Sequence, residues 1–120
     1  MIKKILIAFD GSKEAEKAFQ VALEFSVSFN AFLQVLSVAR PPEPPSMVET
    51  EALLESAAEH YEAKFKTFIS QAEPMNISIK TEVVVGHPAE QIIHYAKEVQ
   101  ADLIVMGHRG KSMVQRWLLG

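Results

Sequence analysis

The chain contains no cysteine. That absence excludes a disulfide scaffold, a thiol nucleophile, a Cys-ligated zinc and an iron-sulfur cluster, and it suits a reducing compartment such as the cytoplasm. Positive charge is not in excess either: 12 Lys and Arg stand against 15 Asp and Glu, a formal net charge of -3. Coating nucleic acid needs a dense basic face, so nucleic acid is not expected as a partner. Long apolar runs are missing as well. After Lys3-Lys4 only Ile5 to Phe9 precede Asp10, too short for a signal-peptide core or a bilayer crossing. The expectation is a cytoplasmic protein with no membrane partner. What is present is a 48% hydrophobic chain of 120 residues, enough for one domain that buries about two-thirds of its unfolded surface. Residues 1–120 read as that single domain.

Ile5-Leu6-Ile7-Ala8-Phe9 is a continuous apolar run closed by Asp10-Gly11-Ser12, the pattern of a strand buried on both faces. From Ser12 the period changes. Ala15, Ala18, Phe19, Ala22, Leu23 and Phe29 mark one stripe of a helix, with Glu14 and Glu16 in the first turn, where the dipole favours acids. Phe32 to Val38 predicts a second strand. Arg40-Pro41-Pro42-Glu43-Pro44-Pro45 must be loop, and Leu54 to Ala72 carries the stripe of a long helix ending near Pro74. Ile77 to Val85 alternates apolar with polar residues, which suggests a half-buried edge strand. A helix follows from Pro88, then Leu103 to Met106 forms a fourth strand. Ser112 to Leu119 reads as the start of a further helix.

Strict alternation of strand and helix implies right-handed crossovers, and so an open α/β parallel sheet in three layers with helices on both faces. The most apolar strands, the first and fourth, belong at its centre, which gives the order 3-2-1-4(-5). Ligands of such sheets bind beyond the carboxyl ends of the strands where the winding reverses, here between Asp10 and Gly107 to Gly110. A fifth strand is not expected within this chain. Strand four would then be a bare apolar edge, covered either by residues after Gly120 or by another chain.

Gly110-Lys111-Ser112 ends like a Walker loop, but position 105 is Val where that loop needs glycine. Gly107 and Gly110 either cradle an anion on backbone amides or merely turn the chain out of the strand. Asp10 is read as a ligand contact or as the cap of the first helix. Ser12 and Ser112 lack a neighbouring His with an orienting carboxylate, so no nucleophile is identified. His60 and His94 lack partners at metal-ligand spacing, and His87 before Pro88 reads as a turn residue. Trp117 reads as a core or interface hydrophobe.

Taken together, Asp10-Gly11-Ser12, the run Ala101-Asp102-Leu103-Ile104-Val105-Met106-Gly107, and the spacing Gly107-x2-Gly110-x9-Gly120 resemble the nucleotide-binding branch of the universal stress protein family. The resemblance covers essentially all 120 residues. It implies ATP or AMP as ligand, with Mg or Mn as companion ion, in a stress-response sensor or regulator more than a catalyst. By position, Asp10 would contact adenine or ribose and Val38 would meet adenine through its backbone. Gly107, Gly110 and Gly120 would line the phosphates, and Ala8 and Met106 would be wall residues. His108, Arg109, Lys111 and Arg116 would set positive charge beside those phosphates. Arg109 is the best direct partner because guanidinium offers a planar fork; otherwise these are solvated loop residues. Family members continue with Ser or Thr and a final strand used for homodimers, and both would lie beyond Gly120. The alternatives are a nucleotide-free dimeric interaction module of the same fold and, ranked lower, a slow ATPase.

Overall fold

The computed structural model describes residues 1–41, 47–108 and 111–116, with only the backbone at 47, 48, 108 and 111–116. Strand β1 (Lys4–Ala8) leads to helix α1 (Lys13–Phe29), β2 (Phe32–Ala39), helix α2 (Met47–Ala72), β3 (Ile79–Val85), helix α3 (Pro88–Glu98), β4 (Leu103–His108) and β5 (Lys111–Arg116). The sheet order is β3-β2-β1-β4-β5. The first four strands are parallel, with Ile5 opposite both Leu33 and Leu103. The doubly wound arrangement expected from the apolar runs is therefore present.

The side-chain alternation of β1 divides the core. Ile5 and Ile7 face the layer of α1 and α2, where Phe19 stacks on Phe68 at 3.7 Å and Phe9 meets Phe68 edge-on at 4.9 Å. Leu6 faces α3 together with Leu36, Tyr95, Ala96 and Ile104. Ile5, Leu6 and Ile7 are all 0% exposed, as a central parallel strand requires.

Two polar devices fix the ends of the central strands. At the amino end, the Asp102 carboxylate accepts the backbone N–H of Lys3 (2.8 Å) and of Lys4 (3.0 Å), tying the start of β4 to the start of β1. Burial acts to raise the Asp102 carboxyl, but those two amides, the chain-terminal ammonium and Lys3 overcome it and hold the group below the ordinary carboxylate range. At the carboxyl end, the buried Ser37 hydroxyl donates to the Phe9 carbonyl at 2.7 Å, and the Phe9 amide donates to Leu36 at 2.8 Å. β1 and β2 are thereby held together where the site lies.

The segment after β4 departs from the expectation. Residues 111–116 form β5, antiparallel to β4, where the sequence suggested the first turns of a helix. β4 is consequently not a bare edge, because His108 pairs with Lys111 and Leu103 with Arg116. The physical reason is the unpaired edge itself: satisfying the backbone groups of β4 outweighs the helical preference of a short polar segment. Trp117 lies outside the described residues.

Candidate functional site

The winding reverses between β1 and β4, and a cavity of about 460 Å³ opens over their carboxyl ends. Ala8 pairs with Met106 across the two strands and both line the cavity, with Val38 on one side and Gly107 at the far rim. Asp10 stands at the mouth, exposed. Five positions proposed from sequence, Ala8, Asp10, Val38, Met106 and Gly107, are thus brought to one crevice. His108 ends β4 in the backbone only. Arg109, Gly110 and Gly120 lie outside the described residues.

Gly107 is needed for space. A Cβ there would come within 2.5 Å of the Ala15 nitrogen and the Glu14 carbonyl carbon, and within 2.7 Å of the Glu14 oxygen. Only a residue without a side chain lets the end of β4 sit against the first turn of α1. That contact brings the amino end of α1 to the crevice, which Ala15 lines. The first amides of a helix have no partner within it and carry partial positive charge.

Asp10 does not cap α1. Its Oδ1 accepts the Ser12 N–H at 2.9 Å, which shapes the turn through Gly11 at φ +87°, and Ser12 is the N-cap, its hydroxyl accepting the Ala15 N–H at 3.1 Å. Among the described residues the second carboxylate oxygen of Asp10 has no hydrogen-bond partner. A group that can accept from a ligand is therefore presented at the crevice mouth.

Of the lining residues that sequence reasoning did not propose, Arg40 and Tyr61 are the two with polar side chains. Arg40 directly follows β2 and is the cation that lines the crevice among the described residues. Tyr61 comes from the middle of α2 and meets Phe9 edge-on at 5.8 Å. Burial pushes its hydroxyl pKa up, and the negative charge of Asp10 adds to the rise. The helical stripe that contains Tyr61 was legible; which end of the sheet it would cover was not. His87 stands at the N-cap position of α3 with no side-chain cap bond.

Larger hollows lie elsewhere among the described residues, including one of about 710 Å³ between α3 and the β2–β3 face and one of about 630 Å³ between α2 and β3. Neither touches the switch point, and size alone does not choose among them. Among the described residues no three His, Asp or Glu side chains are grouped to hold a metal ion, and no helix is long and apolar enough to cross a membrane.

Comparison with known proteins agrees with the geometry. The profile described as the Universal stress protein family matches residues 1–120. The chain is similar to Universal stress protein MJ0531 of Methanocaldococcus jannaschii, 35% identical over the whole of this chain and 72% of that protein. Among solved structures, MJ0577 of the same organism is 31% identical with a TM-score of 0.77, covering 92% of this chain and 78% of that one. A universal stress protein solved in complex with cAMP shares the fold at a TM-score of 0.66 and 22% identity, over 86% of this chain and 74% of that one.

Proposed function

Because the chain belongs to the universal stress protein family, we propose that its switch-point crevice binds an adenine nucleotide, ATP or AMP, and that occupancy serves a stress-response sensor or regulator. The observation that carries this reading is the convergence of Ala8, Asp10, Val38, Met106 and Gly107 on one cavity. Its apolar depth suits a base, and Asp10 at the mouth offers an acceptor to ribose hydroxyls. Phosphates would lie toward Gly107 and the amino end of α1, where backbone amides and the helix dipole favour anions. Arg109, Gly110 and Gly120 belong to that phosphate region by their sequence spacing. A protein of the same fold holds cAMP, itself an adenine nucleotide. A magnesium or manganese ion accompanying the nucleotide would be held by phosphate oxygens and water, because among the described residues no acidic side chains are grouped to hold one.

Asp10 and the phosphate region make separable demands, which gives the test. Titration calorimetry with ATP, AMP, adenosine and inorganic triphosphate should give saturable binding of the nucleotides. Asp10→Ala should weaken adenosine more than triphosphate. Failure of any adenine compound to bind, or equal loss for adenosine and triphosphate, overturns the reading. Mass spectrometry of the supernatant from heat-denatured protein identifies which nucleotide co-purifies.

A further inference from the structure

One row of the sheet passes from the core to solvent across β1, β2 and β3. Leu6 pairs with Gln34 and Gln34 with Lys80, and Leu6 packs beneath α3, so all three side chains lie on the α3 face. Leu6 is 0% and Gln34 4% exposed, while Lys80 is exposed. Gln34 lines the hollow of about 710 Å³ between α3 and the β2–β3 face.

A carboxamide carries two N–H donors and a carbonyl with two lone pairs. Gln34 uses one of these among the described residues, its Nε2 donating to the Lys80 carbonyl at 3.3 Å. That carbonyl has a partner without it. The Leu33 amide donates to the Ser78 carbonyl, so by the alternation of a parallel ladder the Val35 amide meets the Lys80 carbonyl two residues on. Gln34 Oε1 accepts from no protein group among the described residues. An apolar residue of the same size would avoid the cost of burying such an acceptor.

Charges of both signs surround this oxygen. Lys4 and Lys80 line the hollow from β1 and β3, with no acid at ion-pair distance among the described residues. Glu82, two residues beyond Lys80 on the same face, accepts the neutral Tyr95 hydroxyl, and Glu98 of α3 stands 3.5 Å from His94 Nε2. A polyanion would meet Glu82 and Glu98, and a simple cation would meet the lysines. A small zwitterion satisfies both. Neighbouring strands stand about 4.8 Å apart and successive same-face residues of a strand about 6.6 Å, which puts Gln34, Lys80 and Glu82 within reach of one such molecule.

We infer that this hollow binds a free α-amino acid in its zwitterionic form. The carboxylate would meet Lys80 and Lys4, the ammonium would donate to Gln34 Oε1 and Glu82, and the side chain would lie along Phe32 and Val99. The hollow shares no lining residue with the crevice and does not depend on nucleotide binding.

The probes are the protein amino acids, pooled and then single, added at millimolar concentration to the whole chain and read by saturation-transfer and heteronuclear NMR. At least one should shift amides at 32–34, 80–84 and 91–99 and leave those of Asp10 and Gly107 in place. Its N-acetyl derivative, without the ammonium, and its primary amide, without the carboxylate, should each bind at least roughly tenfold more weakly. Gln34→Met removes the acceptor at nearly constant volume. It should weaken binding by a similar factor and leave the urea midpoint unchanged or raised, which a glutamine kept for structure alone would not do. Lys80→Met, at an exposed position, should weaken binding too. The proposal is overturned if no amino acid binds, the result expected if water alone serves Gln34, or if shifts centre elsewhere. Equal binding of either derivative, equal binding by Gln34→Met, or a fall in its urea midpoint overturns it as well.

Discussion

Replacing Gly107 by alanine adds one methyl group where the structure has room for none. The new carbon would lie 2.5 Å from two backbone atoms of α1 and 2.7 Å from a third, against about 3.5–4.0 Å for an unstrained carbon contact. All three obstacles are main chain, so no rotamer change relieves the overlap. Either the first turn of α1 or the end of β4 must move by roughly 1 Å. Insertion of a methylene into a packed region costs about 1–3 kcal/mol, and the rigidity of the obstacles puts this case at about 2–3 kcal/mol. For a domain of this size the expected drop in Tm is roughly 10 °C, and the urea midpoint should fall by roughly 1–2 M at an unchanged slope. The measurement is equilibrium urea unfolding followed by circular dichroism, without nucleotide, beside Gly11→Ala. Gly11 has 3.5 Å of clearance to Tyr61 but a positive φ of 87°, so alanine there costs about 1–2 kcal/mol through conformation. Asparagine, which tolerates that conformation, should recover much of the loss at position 11 and none at position 107. A Gly107→Ala protein within about 0.5 kcal/mol of the parent, the range of a neutral surface change, would refute the steric argument.

Other perturbations probe the remaining devices. Ser12→Ala removes the hydroxyl that accepts from Ala15 and should cost about 1 kcal/mol in the same unfolding assay; Asp10→Asn, which keeps an acceptor for Ser12, should cost less. The Asp102 carboxyl is held low in the folded state, so its stabilisation is complete above the unfolded pKa of about 3.9 and is lost as pH falls through the folded value. Asp102→Asn should therefore lower stability at neutral pH and flatten the acid limb of the stability profile; an unchanged limb would show that the latch contributes nothing. Both tyrosines should ionise above the ordinary value of 10.0 in an ultraviolet alkaline titration. Burial is the larger cause for each, so Asp10→Asn should bring Tyr61 down only in part. The folded chain then holds protons that the unfolded chain has released, and stability should decline as pH rises past about 10.

The parts of this fold that burial alone dictates were legible in the residues. Ile5 to Phe9 and Leu103 to Met106 are apolar on both faces, which places them centrally, and the alternation ending in Val85 marks an edge. Their order then located the crevice without any knowledge of side-chain positions. Tertiary competition decided what was missed. The hairpin into β5 turns on whether the edge of β4 or the helix preference of 112–119 prevails, and no local pattern weighs the two. A gap of two residues ending in Gly110, between segments that pair, is nonetheless a hairpin signal. Ser12 rather than Asp10 caps α1 because the cap needs an oxygen three residues before the receiving amide. Arg40 and Tyr61 reach the crevice through the crossing of α2 over the sheet, a packing register that periodicity leaves open. Gly107 read as a phosphate or turn residue; its clearance from α1 is visible only in three dimensions.

The pairing of β1 with β4 also sets an order of events. Lys4 and Asp102 are 98 positions apart in the chain, and the crevice walls Ala8 and Met106 come from those same two strands. Contacts between such distant segments form late, after the loop-closure entropy of the intervening chain has been overcome. No fragment emerging from a ribosome can own this cavity until its fourth strand has emerged. Anything that binds there selects chains whose central sheet is closed, and its presence raises the apparent stability of the whole domain rather than of one lobe. Occupancy of the crevice would then report two quantities at once, the concentration of the ligand and the fraction of the protein that has finished folding.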